Sequence, residues 1–116
     1  MGKDFTETLI EKHDTRVLVK FKVRKESDYF DGHFPQLKIL PAVGQIDILV
    51  RICAKYFNTP LCFFGAKRLK FSAIIQPDDL IHLEVNYNAE KRSIAFSMTQ
   101  DDGKKVFSSG SLSFDN

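Results

Sequence analysis

The sequence predicts an α+β fold in which a long central helix is wrapped by a curved antiparallel β-sheet. Three observations predict it. Residues 42–57 (AVGQIDILVRICAKYF) are apolar on most sides of a helix, and such a helix must be buried. Residues 16–24 alternate strictly, with Val17, Val19, Phe21 and Val23 pointing one way. Beyond residue 60 the chain reads as one extended run after another, with turn signals between them.

Residues 5–11 form a short strand that turns at His13-Asp14-Thr15 into the strand 16–24, whose β-branched residues suit a half-buried sheet. Residues 26–41 are loop, punctuated by Ser27, Asp28, Asp31, Gly32, Pro35 and Pro41. Pro41 suits the first turn of a helix, where its missing N–H costs nothing. Asn58-Thr59-Pro60 closes that helix. Leu61 to Ile75 reads as one long extended run bent near Gly65, and Gln76-Pro77-Asp78-Asp79 as a turn. In 80–88, Ile81, Leu83, Val85 and Tyr87 alternate with His82, Glu84 and Asn86. Ala89-Glu90-Lys91 turns the chain into 92–99, where Ile94, Phe96 and Met98 alternate with Ser93, Ala95 and Ser97. Asp101-Asp102-Gly103 is a hairpin signal leading to a last strand, 104–114. The helix is about 24 Å long at about 1.5 Å per residue. Strands of about ten residues at about 3.3 Å each are long enough to wrap it. That arrangement is the hot-dog fold. One face of it and one sheet edge need cover, which a dimer supplies by pairing edges.

The 116 residues suit a single domain, 1–116, and 43% apolar content is enough for one core. Eleven phenylalanines suit a flat, aromatic-lined interior or plain core. A net charge of +2, with no Lys/Arg block longer than three, argues against a nucleic-acid partner. Cys53 and Cys62 form no Cys-x-x-Cys pair, and no His/Cys cluster has zinc-ligand spacing, so no metal is expected. Both thiols read as reduced and buried, with Cys62 starting a strand. The first residues carry no apolar signal core and no run is long enough to span a bilayer, so the expected setting is the cytoplasm with no membrane contact.

The residues that carry chemistry are Tyr29-Phe30-Asp31-Gly32-His33-Phe34-Pro35 and Pro41-Ala42-Val43-Gly44-Gln45-Ile46-Asp47. They put a histidine in a Gly/Pro-rich loop and, fourteen residues later, one carboxylate near the start of the apolar helix. An imidazole and a carboxylic acid facing one apolar slot are a general base and a general acid. Gly32-His33-Phe34-Pro35, then Ile39-Leu40-Pro41-Ala42-Val43, then an acid six residues after Pro41, resembles the 3-hydroxyacyl-acyl-carrier-protein dehydratases of the FabA/FabZ type. Leu69-Lys70-Phe71-Ser72-Ala73-Ile74-Ile75-Gln76-Pro77-Asp78-Asp79 resembles the strand and Pro-x-Asp turn that follow the helix in that family. The helix acid is Asp47, as in the FabA type, rather than the Glu of the FabZ type, and Pro-Ala stands where Pro-Gly is usual. The short chain, the Pro-Ala and the Gln45-x-Asp47 pattern are most similar to the ApeI-like dehydratases.

The resemblance implies dehydration of an acyl-carrier-protein-linked 3-hydroxyacyl thioester to the trans-2-enoyl thioester, in fatty acid or polyene-type biosynthesis. His33 takes the C2 proton as a neutral imidazole. Asp47 protonates or orients the leaving hydroxyl; an aspartic acid donates only where burial favours its neutral form, and Ile46 and Val50 flank it. The backbone N–H of Ala42 or Val43, in the first helical turn, receives the developing charge on the thioester oxygen. Phe34 and Gln45 are placed on the substrate. Lys67, Arg68 and Lys70 are placed toward an acidic acyl carrier protein. No cofactor is implied, since the phosphopantetheine arm arrives on the substrate. The active site is shared across a homodimer or a pair with another hot-dog subunit, His33 of one chain facing Asp47 of the other.

Each residue also has a plainer reading. Asp47, Arg51 and Lys55 recur at i, i+4 and i+8 and can be one solvated helical stripe with a surface ion pair. His33 can cap backbone groups in its loop, Gln45 can simply pack, and His13 and His82 read as surface histidines. The rival functions are a non-catalytic hot-dog subunit that completes a partner dehydratase, and a hot-dog acyl thioesterase.

Overall fold

The computed structural model describes residues 5–25, 39–100 and 104–114. Strands β1 (Phe5–Lys12) and β2 (Arg16–Val23) precede helix α1 (Ala42–Phe57). Strands β3 (Gly65–Phe71), β4 (Ile81–Asn88), β5 (Ser93–Gln100) and β6 (Val106–Ser113) follow it. The six strands form one antiparallel sheet in the order β1-β2-β4-β5-β6-β3, with α1 packed against it. The period-two pattern of the sequence decides which face of the sheet meets the helix. Val17, Val19, Phe21 and Val23 of β2 are buried, as are Ile81, Leu83 and Val85 of β4, Ile94, Phe96 and Met98 of β5, and Phe107 and Leu112 of β6. They meet Ile46, Ile48, Leu49, Ile52 and Cys53 of α1 in one core. At about 25 cal/mol per Å² of apolar surface, this shared burial is the main force holding helix to sheet.

The helix begins after Pro41, which is extended (φ −71°, ψ 163°) and offers no capping side chain. It ends at Asn58, whose left-handed backbone (φ 58°) lets its N–H donate to the Ala54 carbonyl at 3.1 Å. Asn tolerates that conformation better than most residues. One side of α1 stays open in the single chain, where Ala42, Val43, Arg51 and Lys55 are exposed. No helix among the described residues is long and apolar enough to cross a membrane.

Two expectations change. The extended run expected over residues 61–75 is a regular strand only over Gly65–Phe71, and a β-bulge between Lys67 and Lys70 breaks its register with β6. At the bulge Arg68 takes a left-handed φ of 56°, packed against Gly110 of β6 at φ +154°. Cys62 precedes the strand and is exposed, whereas Cys53 is buried as expected. The Asp101-Asp102-Gly103 turn lies outside the described residues, although β5 and β6 pair as a hairpin requires.

Candidate active site

Two tertiary hydrogen bonds place the start of α1. The Leu40 N–H donates to the Ile75 carbonyl at 2.8 Å, tying the residue before Pro41 to the segment that leaves β3. The Asp78 N–H donates to the Val23 carbonyl at 2.9 Å, so the Pro77-Asp78 turn anchors the end of β2. That turn is closed by Asp79, whose carboxylate accepts from the Gln76 N–H at 2.8 Å. The strand end from which the His33 segment departs is therefore tied to the same stretch of chain that meets the start of the helix.

Between these segments lies an open pocket of about 260 Å³, lined in part by Leu40, Pro41, Ala42, Gln45, Phe71 and Ile74. The Gln45 N–H is the first to find a helical acceptor, donating to the Pro41 carbonyl at 3.0 Å. The amides of Ala42 and Val43 precede it and have no acceptor within the helix, and Pro41 caps neither. Such amides carry the positive end of the helix dipole, which suits them to a developing oxyanion. Both residues are exposed, Val43 at 76%.

Gln45 is 3% exposed. Its Nε2 donates to the Leu40 carbonyl at 3.3 Å, while its Oε1 is buried with no partner among the described residues. A buried acceptor left unpaired costs about 1–3 kcal/mol, so a polar partner there is worth having. Asp47 lies five residues beyond Ala42, about 7.5 Å along the helix axis. The enclosure expected from Ile46 and Val50 is not made by this chain alone. The Asp47 side chain is 44% exposed, and Arg51 Nε donates to its Oδ2 at 2.9 Å. The reason is helical geometry: Ile46 and Val50 are buried toward the sheet, while Asp47 and Arg51 share the open side. Lys55 continues this stripe, reaching Glu7 of β1 at 3.3 Å. Tyr56 donates to the same Glu7 carboxylate at 2.8 Å. His33 and Phe34 lie outside the described residues.

Lys67, Arg68 and Lys70 do not line the pocket at the helix start. Arg68 and Lys70 line a separate shallow depression of about 470 Å³ with Ser109, Gly110 and Ser111. His13 is exposed and paired with Glu11, and His82 is half-buried on β4; neither approaches the helix start. Sequence reasoning missed Phe71 and Ile74 as pocket-lining residues. The available signal was the end of regular alternation at Phe71-Ser72-Ala73, where two successive amides, Ser72 and Ala73, converge on the Phe107 carbonyl.

Comparison with known proteins gives three kinds of match. The family model for ApeI-like proteins, described as ApeI dehydratase, matches residues 9–111. A 3-hydroxyacyl-[acyl-carrier-protein] dehydratase FabZ from Clostridium kluyveri is 30% identical over 107 residues, covering 85% of this chain and 74% of that enzyme. Among solved structures, the dehydratase heterocomplex ApeI:P from Xenorhabdus doucetiae superposes with a TM-score of 0.80 at 23% identity, covering 91% of this chain and 92% of that one. A hypothetical thioesterase with coenzyme A from Streptococcus pneumoniae superposes with a TM-score of 0.67 at 12% identity, covering 92% of this chain and 82% of that one. The last two likenesses are of the hot-dog fold.

Proposed function

The chain belongs to the ApeI-like dehydratase family, and from that premise we propose how it removes water from a 3-hydroxyacyl thioester in fatty acid or polyketide-type biosynthesis. The observation that carries the site assignment is the uncapped first turn of α1, opening on a pocket beside Gln45 with Asp47 on the same helix. His33 takes the C2 proton. Negative charge then develops on the thioester oxygen, and the amides of Ala42 and Val43 receive it. Asp47 gives a proton to the 3-hydroxyl as the C3–O bond breaks, so that water leaves and the trans-2-enoyl thioester remains. Gln45 Oε1 accepts from a substrate N–H in the arm, and Phe34 packs on the acyl chain. The phosphopantetheine arm comes with the substrate, and the reaction as written calls on no metal or organic cofactor. Its setting is the cytoplasm.

Asp47 is half exposed in the single chain, and a proton donor needs a dry, enclosed site. A second hot-dog subunit, a copy of this chain or a different one, supplies that cover and faces its own loop or helix toward the open side of α1. Lys67, Arg68 and Lys70 give the neighbouring sheet edge a positive charge that suits an acidic surface, such as that of an acyl carrier protein. The test is absorbance of the enoyl thioester formed from a 3-hydroxyacyl carrier-protein substrate. His33→Ala and Asp47→Ala each lose at least about a hundredfold in turnover, the scale of a missing acid or base. Near-wild-type turnover in either variant would sink the residue assignment.

The Asp47–Arg51 ion pair favours one second reading. The carboxylate is held by Arg51 and does not line the pocket at the helix start, which suits a non-catalytic subunit that completes a partner dehydratase. Turnover by the purified chain alone excludes that reading; folded chain without turnover, restored by a second hot-dog subunit, supports it.

A further inference from the structure

Val43 and Asp47 are four residues apart on α1, so they share one face of the helix, with about 6 Å between their Cβ atoms. Arg51 and Lys55 continue the row, and Val43 is its one apolar side chain. At 76% exposure it is the most open large apolar side chain among the described residues, so it adds little to the core of this chain. Side chains of a helix lean toward its N-terminus, the direction in which the first amides also point. The Val43 isopropyl therefore stands beside the amides of Ala42 and Val43. A helical side chain also covers the turn before its own Cα, so the path from those amides to Asp47 passes over Val43.

A 3-hydroxyacyl thioester fits that path. Its carbonyl oxygen and 3-oxygen stand about 3 Å apart, and a hydrogen bond of about 2.8 Å at each end carries the span to about 8 Å. The rise from Ala42 to Asp47 is about 7.5 Å. With both ends pinned, C2 lies in the middle, over Val43, and cannot lift away. Valine is branched at Cβ and holds essentially one χ1 rotamer in a helix, so it is a fixed wall. We propose that the Val43 side chain determines specificity: it lies against C2 and restricts the chain to 3-hydroxyacyl thioesters unbranched at that carbon. This rests on the dehydratase reading and adds which substrates the site takes. In that reading the base faces α1 from the second subunit, so it draws a C2 hydrogen from the side away from the helix. A 2-methyl substrate has two C2 epimers. One turns its methyl to the base and keeps its hydrogen out of reach. The other turns its hydrogen to the base and its methyl into the isopropyl. An unbranched substrate carries hydrogen on both sides and meets neither obstacle.

The test compares 3-hydroxybutanoyl and 2-methyl-3-hydroxybutanoyl thioesters of N-acetylcysteamine, the latter as each C2 epimer, by absorbance of the enoyl product. Wild type is expected to favour the unbranched substrate over the better epimer by at least about tenfold in kcat/KM, the scale of one extra methyl group at a shaped wall. Part of that ratio belongs to the substrate, because a methyl group makes the remaining C2 hydrogen less acidic. The change on mutation does not. Val43→Ala should narrow the ratio at least about fivefold, and Val43→Thr, which keeps the branched shape, should hold it near the wild-type value. Taking a ratio cancels whatever either change does to the backbone amide, and alanine favours the helix more than valine does. A ratio unaltered in Val43→Ala overturns the inference and leaves the dehydratase reading standing. If the folded wild-type chain turns over neither thioester, both serve as unreacted ligands in calorimetry. Tighter binding of the unbranched one, abolished by Val43→Ala, upholds the inference and counts against the dehydratase reading alone. Equal binding of the two, or binding of neither, overturns the inference as well.

Discussion

Gln45 and Asp47 are two residues apart on α1 and meet opposite environments. Gln45 is sealed between helix and loop with one amide atom satisfied and one not, while Asp47 faces the open side and holds Arg51. If the unpaired Oε1 serves substrate rather than fold, Gln45→Met should separate the two. Methionine keeps the volume and removes the orphan acceptor, so stability in urea should change by less than about 1 kcal/mol. KM should rise, since the substrate donor then has no acceptor; an unchanged KM would place the amide in a packing role. The spacing of His33, Pro41 and Asp47 is what pointed to a site at the helix start, and of the three Pro41 and Asp47 lie among the described residues. The burial of Gln45 was not legible in the sequence, because it follows from Leu40 being held by Ile75, a contact between residues far apart along the chain.

At the level of elements, α1 and the alternating strands lie where period and punctuation put them, since each pattern records its own face. β3 does not, because its conformation is set by what it packs against. A Cβ added at Gly110 would lie 2.6 Å from Leu69 Cδ2 and 3.0 Å from Leu69 Cα, on a backbone that side chains rarely adopt. Gly110→Ala should therefore push the bulge away from β6 and cost about 1–3 kcal/mol, read as a lower midpoint in urea. An unaltered midpoint would mean that β3 can shift without strain. Nothing in the run Gly65-Ala66-Lys67-Arg68-Leu69-Lys70-Phe71 announces a bulge, because the residue that permits it sits in another strand.

For the molecule as a whole, sheet order was the least legible property, since β3 pairs with the last strand rather than with β4. The core it encloses makes a prediction about pH. Burial pushes the Cys53 thiol up to about 12 from an ordinary 9.0. Burial, and then the hydrogen bond to Glu7, push Tyr56 up to about 12 from 10.0. Both groups are neutral when protonated, so the folded chain holds protons that the unfolded chain releases. Their contribution to stability is whole below about pH 9 and is lost as pH rises toward about 12. Urea midpoints should fall steadily across that window, and Cys53→Val should flatten the decline between about pH 9 and about pH 10, where the thiol is the first of the two to ionise when unfolded. Midpoints that hold constant to pH 11 or so would show that neither group is shielded as the packing implies.

The place of β3 has a consequence for how the protein is made. Its one strand neighbour among the described residues, β6, leaves the ribosome long after it does. Throughout that interval β3 waits unpaired between Phe64 and Phe71, and contacts between distant segments are the slow ones to form. Unpaired strands on crowded nascent chains are where misassociation begins. Like charges on a waiting segment keep neighbouring nascent chains apart. Lys67, Arg68 and Lys70 put like charge on this segment before its strand neighbour exists.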